Sequence, residues 1–146
     1  MYKMTEFCPH IMNLIGYCTE TKTLILPYER FNLRNYYIIH KIPISEILLN
    51  EGMKKIINET IPCVNHLQIE MNDVCPHNMY VSSTGFVLSD LGRWIYHENT
   101  KEFANSVKNL DLFLEMMRNN IKKINSTHYE FGYQLKNGYF KLWSKK

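Results

Sequence analysis

At 146 residues, with 45% hydrophobic and 13% aromatic side chains, the chain has the length of one globular domain and is too apolar to read as disordered. A formal net charge of +3 excludes the strongly basic surface of a nucleic-acid binder, and Lys136, Lys141, Lys145 and Lys146 read as a solvated basic end. No run approaches the ~18 apolar residues of a membrane span and Met1 to Glu6 has no apolar signal region, which predicts a cytoplasmic product, or a secretory-pathway one if the chain is part of a longer protein.

The predicted elements run as follows. Ile11 to Tyr17 and Thr23 to Tyr28 are short apolar runs around the polar Thr19-Glu20-Thr21-Lys22, a strand hairpin. Asn32 to Ile39 has helical potential. After Pro43, Ser45 suits an N-cap, and Ile47, Leu48, Met53, Ile56 and Ile57 recur near helical spacing in a helix from Glu46 that bends or ends near Pro62. Met79 to Val81 and Phe86 to Leu88 bracket Ser82-Ser83-Thr84-Gly85, a second hairpin. Glu102 to Ile124 is helical, with Phe103, Val107, Leu110, Leu114 and Met117 on one face. Tyr129, Phe131 and Tyr133 then alternate as short strand or loop, and Trp94 and Trp143 read as packing anchors.

Cys8, Cys18, Cys63 and Cys75 stand at irregular intervals without a CxxC pair, and the six histidines do not cluster, so free thiols in a reducing compartment are expected. Chemistry concentrates in Met71-Asn72-Asp73-Val74-Cys75-Pro76-His77-Asn78 and, beyond the Gly85 hairpin, Ser89-Asp90-Leu91-Gly92. An Asp and an Asn five apart, joined by a hairpin to another carboxylate, suit phosphoryl transfer. Asp73 would orient or deprotonate the attacking hydroxyl, while Asn78 and Asp90 would hold Mg²⁺ against nucleotide phosphates. Taken singly, each of these residues also suits a turn or its cap.

Asp73-Val74-Cys75-Pro76-His77-Asn78 resembles the protein-kinase catalytic loop, D-L-K-P-E-N, and Asp90-Leu91-Gly92 resembles D-F-G. Cys8-Pro9-His10-Ile11 with Leu14-Ile15-Gly16-Tyr17-Cys18 is similar to the segment leading into a kinase's fourth strand. Thr23 to Tyr28 is similar to the fifth strand and hinge, Phe31 to Tyr36 to the stretch after it, and Leu114-Glu115-Met116 to the W-E-M of the long buried helix. The loose motifs look most like divergent groups such as protein-O-mannose kinase and its secretory-pathway relatives. The resemblance implies an α+β, truncated protein-kinase-like fold: one partial domain over residues 1–146, its motifs within 8–118, with the upper lobe largely missing. It also implies Mg²⁺ and ATP as ligands, and Leu26 and Tyr28 as cofactor-binding residues beside Asn78 and Asp90.

The departures are equally specific. No Gly-rich loop or strand lysine precedes residue 8, Met71-Asn72 replaces the His-Arg before the catalytic Asp, and Cys75 replaces the loop lysine. Asn105 falls at the buried-helix Asp only fifteen residues beyond Asp90, leaving no evident activation loop. The expected function is therefore a pseudokinase or kinase fragment that binds a protein partner, another kinase among the candidates, through an uncovered apolar face. The alternatives are a divergent ATP-dependent phosphotransferase completed by a partner, and a truncated copy with no independent role.

Overall fold

A computed structural model of the chain describes residues 1–29 and 31–130. Its architecture is mixed α+β, with short antiparallel pairs set among helices. β1 (Gly16–Cys18) pairs with β2 (Thr23–Ile25), Tyr17 opposite Leu24, and β2 is exposed along its length. This hairpin is shorter than its apolar runs predict, because Ile11 is drawn elsewhere. α1 (Leu33–Ile39) follows, with Asn32 Oδ1 accepting the Asn35 N–H at 2.8 Å as its cap.

The amphipathic stretch does not begin as one helix at Glu46 under a Ser45 cap. Ile44–Leu49 is a 3₁₀ helix, and α2 (Glu51–Lys55) starts where Asn50 Oδ1 accepts the Gly52 N–H at 2.8 Å. A π-helical turn, Ile56–Thr60, leads into α3 (Ile61–His66), with the Ile61 N–H reaching back to Ile56 O. The wide turn lets helical winding pass Pro62, which has no N–H to give, so the element continues instead of ending there. Gly52 is required by packing: a Cβ there would stand 2.9 Å from Phe86 Cγ.

β3 (Ile69–Glu70) precedes the loop carrying Asp73. β4 (Met79–Ser82) and β5 (Gly85–Leu88) form the predicted second hairpin, Met79 opposite Leu88, and its turn uses Gly85 at φ +129°, open to glycine. Both outer edges of this hairpin are occupied. The Val81 N–H donates to Phe31 O, while Leu88 exchanges bonds with His10 and Met12, which explains why Ile11 and Met12 are buried here rather than in β1.

β6 (Ile95–Tyr96) returns to pair with β3, closing the segment between them. The predicted helix over Glu102–Ile124 is two helices. α4 (Thr100–Ser106), capped by Asn99 Oδ1, ends where Val107 turns extended, and α5 (Asn109–Glu130) begins beyond it. Phe103, Val107 and Met117 are buried as predicted, but beyond the break Phe113 and Ile121 join Met117 in the stripe, leaving Leu110 43% exposed and Leu114 at the margin of the core. One apolar cluster joins α1, the 3₁₀ segment, α2, α3, the β4–β5 hairpin and α5, with Leu33, Ile47, Met53, Met79, Leu88 and Phe113 sealed at its centre. Trp94 is buried as expected; Tyr129 belongs to α5, and Phe131, Tyr133, Trp143 and the basic end lie outside the described residues.

The thiol expectation needs correction. Cys8 and Cys63 form a disulfide across 55 residues, while Cys18 and Cys75 stay free. Folding brings Pro9 and His10 against the turn at Glu59 and Thr60, where Thr60 Oγ1 donates to Pro9 O at 2.7 Å, and that contact sets the two sulfurs side by side. No helix among the described residues is long and apolar enough to cross a membrane.

Candidate functional site

The loop after β3 is shaped by its backbone. Asp73 sits at φ 55°, a left-handed value that Asp tolerates better than most residues. Pro76–Asn78 makes a 3₁₀ turn closed by the Asn78 N–H on Cys75 O, and the Asn78 side-chain amide donates to Asp73 O at 3.0 Å. That bond uses the Nδ2 end of Asn78 and leaves Oδ1, a hard acceptor, without a donor among the described residues.

Across the β4–β5 hairpin the Ser89 N–H donates to Asn78 O at 3.0 Å, setting the two ends of the hairpin side by side. Asp90 follows at φ 59° and ψ 61°, and although it stands at the cap of the Leu91–Arg93 turn its carboxylate makes no capping bond. Its Oδ1 would lie 3.9 Å from a Cβ placed on Gly92. Asn78, Asp90, Gly92 and Leu26 line one cavity of about 480 Å³, with Tyr2 and Leu24 on its other walls. Tyr28, 88% exposed, is outside that lining. Asp73 opens onto the adjoining cleft with Glu70, Asn72 and Arg93, and Gly92 borders both hollows. A hollow of about 540 Å³ beside α4 and α5, with Asn65, Phe103 and Asp111 on its walls, holds none of the sequence-predicted site residues.

Cys75 lies between these groups. Burial pushes its thiol above the ordinary range; the Asn78 and His77 amides pull the other way, and the carboxylates of Asp73 and Asp90 add to the rise. His77 is exposed, as the sequence predicts for a surface residue, with Nε2 3.3 Å from Cys75 Sγ. Cys18 behaves oppositely: the Thr21 hydroxyl and nearby amides lower its pKa. Iodoacetamide at neutral pH is expected to label Cys18 roughly tenfold or more faster than Cys75, because thiolate fraction and access both favour it. Mass spectrometry of the labelled peptides reads the ratio, and equal rates would contradict the buried, protonated thiol.

No family model, curated protein or solved structure matches this chain.

Two residues that matter here escape the sequence pattern. Asn105, expected at the buried-helix position, is exposed on α4; the residue that reaches the loop is Asn109, whose Oδ1 accepts the Met71 N–H at 2.9 Å. Tyr2 enters the cavity from a stretch with no recognisable motif, and its hydroxyl accepts the Asp90 N–H at 3.0 Å. A buried polar residue opening a helix is a signal that a search for charged residues passes over, and nothing in the local sequence marks Tyr2.

The donor set fits Mg²⁺. Asn78 Oδ1 and the Asp90 carboxylate are hard oxygen ligands on neighbouring backbone, and Mg²⁺ takes few protein ligands beside water and phosphate oxygens. Among the described residues no group of three or more His, Cys, Asp or Glu side chains could hold an ion.

Proposed function

We propose that this chain is a protein-kinase-like binding protein that takes Mg²⁺–nucleotide at Asn78 and Asp90 and acts through a protein partner. The observation that carries the reading is that Asn78, its Nδ2 held by Asp73 O and its Oδ1 left without a donor among the described residues, lines one cavity with Asp90. A bound Mg²⁺ there would offset phosphate charge. Leu26, just beyond β2, also lines the cavity and supplies apolar surface for a base.

The kinase-like part of the reading rests on the sequence resemblance together with the order of the elements. A hairpin precedes the helices, a loop and a turn bearing the site residues flank a second hairpin, β6 pairs back onto β3, and a long helix buried along one face is anchored to the loop by Asn109. Partner docking is supported by the uncovered apolar side chains near β1 and β2, where Ile15, Tyr17, Leu24, Ile25 and Tyr28 all face outward. Binding is favoured over turnover because the loop-lysine position holds the uncharged Cys75, and one cation on the transferred phosphoryl group can contribute about 10³- to 10⁵-fold in rate. Asp73 at the adjoining cleft favours a second reading, phosphoryl transfer with that residue as base.

The test is thermal unfolding with Mg²⁺ and ATP. Ligand at 100 times its Kd is expected to stabilise the chain by about 2.7 kcal/mol. The Mg²⁺-dependent part should vanish in Asp90→Ala and shrink in Asn78→Ala. A cooperatively unfolding wild type that never responds to Mg²⁺–ATP would sink the nucleotide reading; ATP turnover lost in Asp73→Ala would favour the second.

A further inference from the structure

The hydroxyl of Tyr2 does something that its packing does not require. Tyr2 is only 9% exposed although it is the second residue of the chain. The segment that carries it is fastened at several points. The Thr5 N–H donates to Met1 O and the Cys8 N–H to Thr5 O, and the Thr5 hydroxyl contacts the carbonyls of Met1 and Tyr2. Beyond it, Cys8 is bonded to Cys63 and Pro9 O accepts from Thr60. Tyr2 is thereby held in the wall of the cavity that Asn78 also lines.

Asp90 needs such a partner. β5 ends at Leu88, and the Ser89 N–H is taken by Asn78 O, so the next amide leaves the ladder with no backbone acceptor. That N–H meets Tyr2, whose Oη accepts it at 3.0 Å, just before the backbone takes the left-handed conformation of Asp90; Ser89 Oγ stands 3.5 Å from the same oxygen. A non-glycine residue at φ 59° is in a sparsely populated region and persists where surrounding bonds hold it.

We propose that Tyr2 is a positioning residue for Asp90: its hydroxyl holds the left-handed turn that presents the carboxylate to the cavity shared with Asn78. The role rests on the reading of that cavity as a Mg²⁺–nucleotide site. Tyr2 itself touches neither metal nor phosphate in this role; it acts through the Asp90 backbone. The ring supplies packing and the hydroxyl supplies the position, so Tyr2→Phe separates the two.

The experiment compares the whole chain with its Tyr2→Phe form. Without ligand, amide exchange of Asp90 is expected to quicken by about five- to tenfold, the worth of one hydrogen bond, while Leu88, bonded to His10 O, keeps its protection. In titrations at fixed ATP, the Mg²⁺ concentration for half of the thermal shift should rise by about the same factor. ATP binding measured without metal should stay as in wild type. A purely packing role would lower the melting temperature equally with and without Mg²⁺. An unchanged Asp90 amide, or an unchanged Mg²⁺ requirement in a wild type that does bind Mg²⁺–ATP, would overturn the positioning role alone. A wild type that binds no Mg²⁺–ATP would overturn the nucleotide reading, and the role of Tyr2 toward the metal with it.

Discussion

Replacing Asn109 with Ala is expected to lower the unfolding free energy by about 3–5 kcal/mol, a large effect for a single polar side chain. Asn109 is 1% exposed at the start of α5 and uses both ends of its amide. Oδ1 accepts the Met71 N–H at 2.9 Å, and Nδ2 donates at 2.7 Å to both Ile69 O and Asn65 Oδ1. Truncation leaves the Met71 N–H and one acceptor position on Ile69 O without this partner in a closed interior, and each such buried group costs about 1–3 kcal/mol when unpaired. Asn65 is at the surface and can turn to water, so it adds little.

Conservative variants sharpen this expectation. Asn109→Leu fills the volume but strands the same backbone groups, so it should be nearly as damaging as Ala. Asn109→Asp keeps the acceptor for Met71 but sets a carboxylate oxygen against Ile69 O, which has no proton to offer. Chemical denaturation of the three variants gives the order; an alanine variant within about 0.5 kcal/mol of wild type would contradict the account. The consequence reaches the proposed site, because Met71 leads directly into the loop that carries Asp73. A loosened anchor should weaken the Mg²⁺-dependent response even in molecules that remain folded.

What the sequence made legible was local. Asn32 before a short apolar helix, Gly85 at the turn of a hairpin, and the Asp73–Asn78 spacing each specify a structure within a few residues, and each is present. A tight hairpin between Asn78 and Asp90 leaves little freedom in how far apart they end, and both line one cavity.

The features that escaped are those decided between distant segments. Ile11 reads as part of β1 by its neighbours, yet Leu88 competes for its backbone and wins. Ser45 is as good an N-cap by residue type as Asn50, and the helix begins at Asn50, beside the buried Gly52–Phe86 contact. The disulfide depends on Pro9 meeting Thr60, which no spacing of cysteines reveals. Tyr2 acquires its role only once Asp90 has turned toward it across 88 residues.

The break before α5 has the most measurable consequence, because two registers of the same helix predict opposite results at neighbouring positions. A continuous helix from Glu102 would bury Leu110 and Leu114 with Met117; the observed one buries Phe113 and Ile121 with Met117 at successive turns. Phe113→Ala is expected to cost about 3–5 kcal/mol, since the ring is sealed from solvent and its loss leaves a cavity among surrounding helices. For a chain of this size that corresponds to a melting temperature lower by roughly 10–20 °C. Leu110→Ala should stay within about 0.5–1 kcal/mol, because much of that side chain is already in water. α5 also packs on the 3₁₀ segment at Ile44–Leu49 and on the Pro76–Asn78 turn, so the Phe113 cavity should loosen the Asn78 end of the site as well. If Leu110→Ala proved the costlier of the two, the helix would have to run unbroken from Glu102, and Asn109 would lose the place from which it reaches Met71.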